Sequence, residues 1–191
     1  MTIKTERLLS RAKKLYTKGN FAEAESIYSE VLKLAPNNKD AKNAISALKN
    51  KKYIVPISQS ELQSAVSFVT NGNITEALKI VEPLIEKYPN KSILFNIRGV
   101  CNKAKNKHKD AVNDFNQAVL IKPDYAEAFY NLGVTLREMG DFQNAINAYQ
   151  EALKHNNHYP KAHNNLGQLF LVMGNLDSAI DHLEWAVVLQ P

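Results

Sequence analysis

The 191-residue sequence is poor in cysteine and glycine, and each shortage excludes a class of protein. Its one cysteine cannot form an internal disulfide, which excludes a disulfide-stapled secreted scaffold and favours the reducing cytoplasm. Its seven glycines form none of the Gly-rich loops that hold phosphates in nucleotide enzymes. Apolar runs such as 169–173 are short, whereas a membrane-spanning helix needs about 20 residues. We therefore expect a soluble, mostly helical protein.

A repeat with a constant period runs through most of the chain. Three glycines, Gly99, Gly133 and Gly167, follow one another at equal steps of 34 in the numbering. Three further columns keep the same spacing, namely Ala111, Ala145 and Ala179; Phe115, Tyr149 and Leu183; and Ala118, Ala152 and Ala186. A fixed period of this length indicates a stack of similar supersecondary units.

The repeat is interrupted once, after its first unit. The step from Gly19 to Gly72 is 53 in the numbering, which is one period of 34 plus an insertion of 19. The first part of the insertion has the apolar spacing of a helix, and the rest contains β-branched residues and a proline. We therefore predict a repeat unit plus one extra helix at 1–50, a linker at 51–57, and an array of four units at 58–191.

Each unit predicts two helices joined by a tight turn. In the fourth unit, Gly140 supplies the left-handed position that ends the first helix, and Asp141 caps the second. Asn20 and Asn73 begin sequences that resemble capping boxes. The turn at 106–110 lacks both the glycine and the cap, so we expect it to be looser than the others.

This pattern resembles the tetratricopeptide repeat family, whose 34-residue helix–turn–helix units stack into a superhelix. The resemblance covers residues 5–38 and 58–191. It implies an all-α, right-handed superhelical solenoid of antiparallel helix pairs, with five units and about eleven helices. The sequence departs from the family pattern at Arg98, where a leucine is expected, and at Pro83, inside a second helix.

In stacked helix pairs the first helix of every pair lines a concave face, so we look there for binding residues. Asn131 and Asn165 lie one period apart, each in an N-L-G triplet, and Asn96 is one residue off that register. A column of asparagines can hold the backbone of an extended peptide, because each side chain both donates and accepts. Alternatively, these asparagines satisfy local backbone groups. The predicted peptide-binding groove consists of Asn96, Tyr130, Asn131, Arg137, Lys161, Asn164, Asn165 and Gln168.

The N-L-G units are similar to repeat arms that precede O-GlcNAc-transferase-type glycosyltransferases, and to arrays fused to bacterial sulfotransferases. This resemblance implies a scaffold that binds a protein or peptide partner as the N-terminal arm of a larger transferase. The family also has a carboxylate clamp for C-terminal Asp or Glu residues. Only Asn131 and Lys161 match that clamp, so we do not expect binding of acidic C-termini.

The sequence contains no identifiable active site, and any catalytic domain would lie beyond residue 191. We expect Cys101 to be a packing residue and not a nucleophile. His155, His158 and His163 lie close in sequence, without a carboxylate or cysteine at the usual ligand spacing. The basic run at 103–109 lacks the interleaved aromatics that stack on bases. We therefore expect no enzyme activity, metal, cofactor or nucleic-acid partner.

Charge distribution and the last helix predict an alternative function, self-assembly. Residues 1–57 hold 12 basic and 5 acidic side chains, whereas residues 126–191 hold 3 and 7. The chain ends at the close of a repeat without a polar capping helix, so we expect Trp185, Val188 and Leu189 to contact a further domain or another copy. A basic front that docks on an acidic end would produce homo-oligomers.

Overall fold

A computed structural model describes residues 3–17, 20–51 and 57–189 of the chain. These residues form eleven α-helices and no strand, which confirms the predicted all-α solenoid class. They divide into two compact units, Met1–Pro56 and Ile57–Pro191. Each unit has its own hydrophobic core and is described separately below.

The first unit contains three helices, α1 (Ile3–Thr17), α2 (Phe21–Leu34) and α3 (Lys39–Lys51). Helices α1 and α2 form a pair, and α3 packs on α2. The apolar face of α3 is buried in this core, as its spacing predicts, and includes Ala41 and Leu48. Most of the segment for which we predict a linker, residues 52–56, lies outside the described residues.

The second unit contains eight helices arranged as four pairs. The helices are α4 (Gln59–Thr70), α5 (Ile74–Lys87), α6 (Ser92–Ala104), α7 (His108–Ile121), α8 (Ala126–Glu138), α9 (Phe142–His155), α10 (Pro160–Val172) and α11 (Leu176–Leu189). Within this unit, α6 contacts both α4 and α8, the first helices of the neighbouring pairs. The first helices therefore lie side by side and form one continuous surface, which we call the first-helix face.

The glycine column explains how closely the two helices of a pair approach. A Cβ atom added to Gly133 would lie 2.7 Å from the ring of Tyr149 on the partner helix. At Gly99 it would lie 2.6 Å from the ring of Phe115. Real Cβ atoms do not approach other atoms this closely, so Phe115 and Tyr149 each require a glycine opposite them.

The turn at 106–110 is as tight as the others, so the expectation of a looser turn is wrong. Asn106 adopts a positive φ of 59°, the conformation that Gly140 adopts with a φ of 79° in the next pair. The backbone N–H of Lys107 donates to the carbonyl of Asn102 at 2.9 Å, which closes the turn. Asparagine can replace glycine here because its short polar side chain tolerates the left-handed region.

The capping boxes expected at Asn20 and Asn73 are also absent. Neither side chain accepts a hydrogen bond from the backbone of its helix. Their own backbone N–H groups already donate to the carbonyls of Leu15 and Phe68, at 2.9 and 2.8 Å. The reciprocal half of a capping box therefore has no free donor, and the Asn20 side chain donates to the Glu23 carboxylate instead, at 3.1 Å.

Arg98, which departs from the family pattern, forms a partly buried ion pair. Its Nε lies 2.9 and 3.1 Å from the two carboxylate oxygens of Asp114 on α7. Asn102 donates to the same carboxylate at 2.8 Å. Since Asp114 is buried, this polar network replaces the apolar contact that a leucine would make between α6 and α7.

Candidate functional site

Seven side chains form a band across α6, α8 and α10 on the first-helix face, and we call this band the polar strip. It consists of Asn96, Tyr125, Glu127, Tyr130, Asn131, Tyr159 and Asn165. Four of the eight residues predicted for the groove therefore come together. The strip connects the third, fourth and fifth repeat units.

Asn96 is the buried centre of the first half of the strip. Its side-chain nitrogen donates to the hydroxyl of Tyr125 and to Oε1 of Glu127, both at 3.3 Å. Its side-chain oxygen accepts from the Nδ2 of Asn131 at 3.0 Å. Asn96 is only 3 % exposed, and these three partners use both its donor and its acceptor.

The second half of the strip repeats this link one unit further along. Asn165 donates from its Nδ2 to the hydroxyl of Tyr130 at 3.2 Å. The ring of Tyr130 also packs against the ring of Tyr159, with centroids 4.9 Å apart. Asn131 and Asn165 thus both donate to the residue 35 positions earlier, on the first helix of the preceding unit.

This pairing explains why Asn96 is off the register of the other two asparagines. Asn96 occupies the accepting position of its unit, which Tyr130 occupies in the next unit. Asn131 and Asn165 occupy the donating position. Asn131 and Asn165 therefore occupy the same position of the repeat, whereas Asn96 is the partner of Asn131 across the junction between units.

The other four predicted groove residues make none of these contacts. Lys161 and Asn164 line a groove between α10 and α11. Arg137 is half-buried, and Gln168 is exposed. All four side chains lie on the first helices of the last two pairs.

Sequence reasoning missed Tyr125 and Tyr159 as members of the site, whereas Glu127 is among the residues it places on the concave face. The two tyrosines lie exactly one period apart, each immediately before a first helix. That spacing is the signal that could have identified them. Glu127 is exposed, and in the described part of the chain its carboxylate forms no ion pair.

Burial shifts the titration of two tyrosines of the strip. It raises the pKa of Tyr125 to about 12, and the negative charge of Glu127 adds to the rise. Burial also raises the pKa of Tyr159, again with a contribution from Glu127. The hydroxyl groups of Tyr125 and Tyr159 therefore stay protonated and can act as hydrogen-bond donors.

Other titratable groups do not assemble a catalytic centre among the described residues. Burial raises the pKa of Cys101 to about 11, so its sulfur stays a thiol. His155 stacks on Phe129, whereas His163 lies 2.9 Å from His182, nitrogen to nitrogen. No group of three His, Cys, Asp or Glu side chains in the described ranges could hold a metal ion. Within those ranges, no helix has the length and apolar character needed to cross a membrane.

The last helix pair has an exposed apolar surface. Trp185 and Val188 are 54 % and 70 % exposed, and Leu189 is half-buried. Other exposed apolar side chains on this pair are Leu171, Val172, Met173, Leu176, Ile180 and Val187. An exposed patch of this kind usually marks a contact with another protein surface.

Comparison with known families identifies the repeat. Models of the tetratricopeptide repeat match residues 8–38 and 126–159, and a TPR repeat model matches residues 103–140. DnaJ homolog subfamily C member 3 from Rattus norvegicus is 26 % identical over 141 residues, and that from Homo sapiens is 27 % identical. These matches cover 72 % of this chain but only 26 % of each relative's length.

Solved structures share the fold at lower identity. A crystal structure of MamA is 22 % identical, with a TM-score of 0.63, and the match covers 100 % of this chain and 95 % of MamA. YrrB, described as a TPR protein with an unusual peptide-binding site, is 18 % identical, with a TM-score of 0.57 and coverage of 96 % and 85 %. The constant period, the stacked helix pairs and the matched models together show that residues 8–38 and 103–159 are tetratricopeptide repeats.

Proposed function

We propose that this chain is a non-enzymatic scaffold that binds an extended peptide or protein segment along the first-helix face of its second unit. The observation that carries the proposal is a pair of hydrogen bonds across the unit junctions, from Asn131 to Asn96 and from Asn165 to Tyr130. Each side chain is fixed by its donated hydrogen bond, and its oxygen accepts none from the described residues. Two oriented acceptors are thereby presented to a ligand.

The spacing of these acceptors suits an extended chain. Neighbouring helices pack about 8–10 Å apart. A peptide in the polyproline II conformation advances about 3.1 Å per residue and completes one turn in three residues, so its N–H groups three residues apart point to the same side, about 9 Å apart. The two oxygens can therefore accept from backbone N–H groups three residues apart. Because the side chains are already fixed, little rotamer freedom is lost on binding. YrrB, which shares the fold, is described as having a peptide-binding site, and this supports the proposal.

The test uses peptides selected by phage display on the purified chain. The double variant Asn131→Ala/Asn165→Ala should bind a selected peptide about tenfold or more weakly, since each lost hydrogen bond is worth about 0.5–1.5 kcal/mol. The matched control is Asn90→Ala/Asn113→Ala, in the turn before α6 and on α7, where both side chains are exposed. Unchanged affinity in the strip variant, or failure to select any peptide, refutes the proposal.

We further propose that the array is the N-terminal arm of a larger transferase and acts in the cytoplasm. The N-L-G triplets around Asn131 and Asn165 support the first statement through their resemblance to such arms. The buried thiol of Cys101 suits a reducing compartment. Reading the gene beyond residue 191 tests the arm, because a transferase domain should follow, and a gene without one contradicts it.

A second candidate function is self-assembly through the two ends of the chain. Helix α11 exposes apolar side chains beside three acidic residues, Asp177, Asp181 and Glu184, and has no Lys or Arg. Helix α1 has five basic residues and one acidic residue. A head-to-tail contact between copies would match these charges and cover the apolar surface.

Sedimentation at increasing protein concentration tests self-assembly. We expect association that weakens with salt and is abolished by Val188→Asp, which places a charge in the apolar surface. Leu120→Asp, at a similarly exposed position on α7, is the control and should associate as the wild type does. A wild-type chain that remains monomeric at all concentrations contradicts this candidate.

A further inference from the structure

We propose that Glu127, with the rings of Tyr125, Tyr130 and Tyr159, forms a subsite for a cationic side chain, arginine or lysine, of the bound segment. This inference rests on the proposed peptide-binding function and specifies the chemistry of the partner. A carboxylate beside aromatic rings is an arrangement that attracts organic cations, because the ring faces and the carboxylate are both negative.

The structure holds the members of this subsite together through two contacts. Asn96 donates from one nitrogen to both Tyr125 and Glu127, which fixes the carboxylate beside the hydroxyl of Tyr125. Tyr130 and Tyr159 form the second contact, with ring centroids 4.9 Å apart. Glu127 begins the helix that also carries Tyr130, so the two contacts adjoin.

Helix geometry brings the two halves onto one face of α8. Glu127 and Tyr130 lie three residues apart, and side chains at this spacing are neighbours on a helix surface. The charge of Glu127 also contributes to the raised pKa of both Tyr125 and Tyr159. One cation can therefore contact the carboxylate and an adjoining ring together.

The subsite is available to a cation from a partner. Glu127 is exposed, and no lysine or arginine among the described residues pairs with it within 4.0 Å. Lys122 Nζ already lies 5.0 Å from the ring centroid of Tyr125, so a partner's cation would contact the rings of Tyr130 and Tyr159 beside the carboxylate. An acidic side chain would instead meet the carboxylate of Glu127 and be repelled.

The experiment compares three blocked tripeptides, in which glycines flank arginine, lysine or norleucine. Norleucine has a straight apolar side chain like that of lysine but no charge. Each is titrated into the isotopically labelled full chain, and binding is followed by NMR shifts of the backbone amides of Tyr125, Glu127 and Tyr159. We expect the arginine and lysine peptides to bind about three- to tenfold more tightly than the norleucine peptide.

Two variants and a control separate the contribution of the Glu127 charge from that of the aromatic rings. Glu127→Gln removes the charge but keeps an oxygen that accepts from Asn96, so it should abolish the preference for the cationic peptides. Tyr159→Leu removes one ring and should reduce the preference. Glu86→Gln, at an exposed position on α5 outside the strip, should leave it unchanged.

Equal binding of the arginine and norleucine peptides, no binding of any of the three, or an unchanged preference in Glu127→Gln overturns the subsite. Failure of the proposed peptide-binding function can be distinguished from failure of the subsite. If display-selected peptides depend on Asn131 and Asn165 but show no preference for a cation at Glu127, the groove stands and the subsite is wrong. If no selected peptide depends on the two asparagines, both proposals are wrong.

Discussion

The ion pair between Arg98 and Asp114 tests how the two helices of the third repeat are held together. The Asp114 side chain is 6 % exposed, whereas that of Arg98 is 31 % exposed. Asp114→Ala leaves the guanidinium half-buried without its partner and removes the acceptor of Asn102. Breaking a fully buried pair costs about 3–5 kcal/mol, and because Arg98 still contacts water we expect about 2–3 kcal/mol.

A double-mutant cycle isolates the pair. Arg98→Leu restores the residue that the family pattern has, but leaves the Asp114 carboxylate buried without a cation. The double variant Arg98→Leu/Asp114→Ala removes both charges and returns an apolar contact. We expect it to be about 1–2 kcal/mol more stable than Asp114→Ala alone. Urea unfolding followed by far-UV circular dichroism measures all of these variants.

The control is the exposed pair of Arg11 and Glu23, whose side chains are 65 % and 45 % exposed. Arg11→Ala should change the free energy of unfolding by about 0–1 kcal/mol, because solvent screens such a pair. If Asp114→Ala costs no more than this control, the buried network does not hold α6 to α7. If the double variant is the least stable of the set, the side-chain volume lost from the contact matters more than the unpaired charge left in the single variants. That result would contradict the reasoning.

Three further predictions concern packing, turn geometry and pH. Gly133→Ala should lower the free energy of unfolding in urea by about 1–3 kcal/mol, because the new methyl group meets the ring of Tyr149 at 2.7 Å. Asn106→Ala should lower it by about 1 kcal/mol, whereas Asn106→Gly should not, since φ is +59°. Burial and His163 lower the pKa of His182 from its ordinary value of 6.5, so the unfolded chain binds more protons. The free energy of unfolding should therefore fall as the pH drops below 6.5. His182→Gln should reduce this dependence of the unfolding free energy on pH. An unchanged dependence in the variant contradicts the assignment to His182.

The period of the sequence predicts the helix pairs because it reflects packing that recurs in every unit. Gly133 opposite Tyr149 is one such contact, and it is visible as two columns that recur with the same period. The prediction of a loose turn at Asn106 is wrong because the left-handed backbone conformation of the turn does not require a glycine. Asparagine reaches the same backbone region, so residue identity alone does not decide the turn.

The polar strip could be predicted only in part. The positions of Asn131 and Asn165 follow from the period, but their partners depend on how far one helix is rotated against the next. That rotation pairs Asn131 with Asn96 and Asn165 with Tyr130, in each case the residue 35 positions earlier. Asn131 and Asn165 do not pair with each other. Tyr125 and Tyr159 escape sequence reasoning because they precede the helices, whereas apolar periodicity describes helix faces only.

The location of a bound peptide shows whether ligands occupy the first-helix face. A display-selected peptide is titrated into the labelled chain, and the side-chain amide signals of the chain's asparagines are followed by NMR. We expect the largest shifts at Asn131 and Asn165, on the first-helix face. A competing groove lies between α7 and α9 and is lined by Asn116 and Asn144. Largest shifts at those two residues, with Asn131 and Asn165 unmoved, would contradict this expectation.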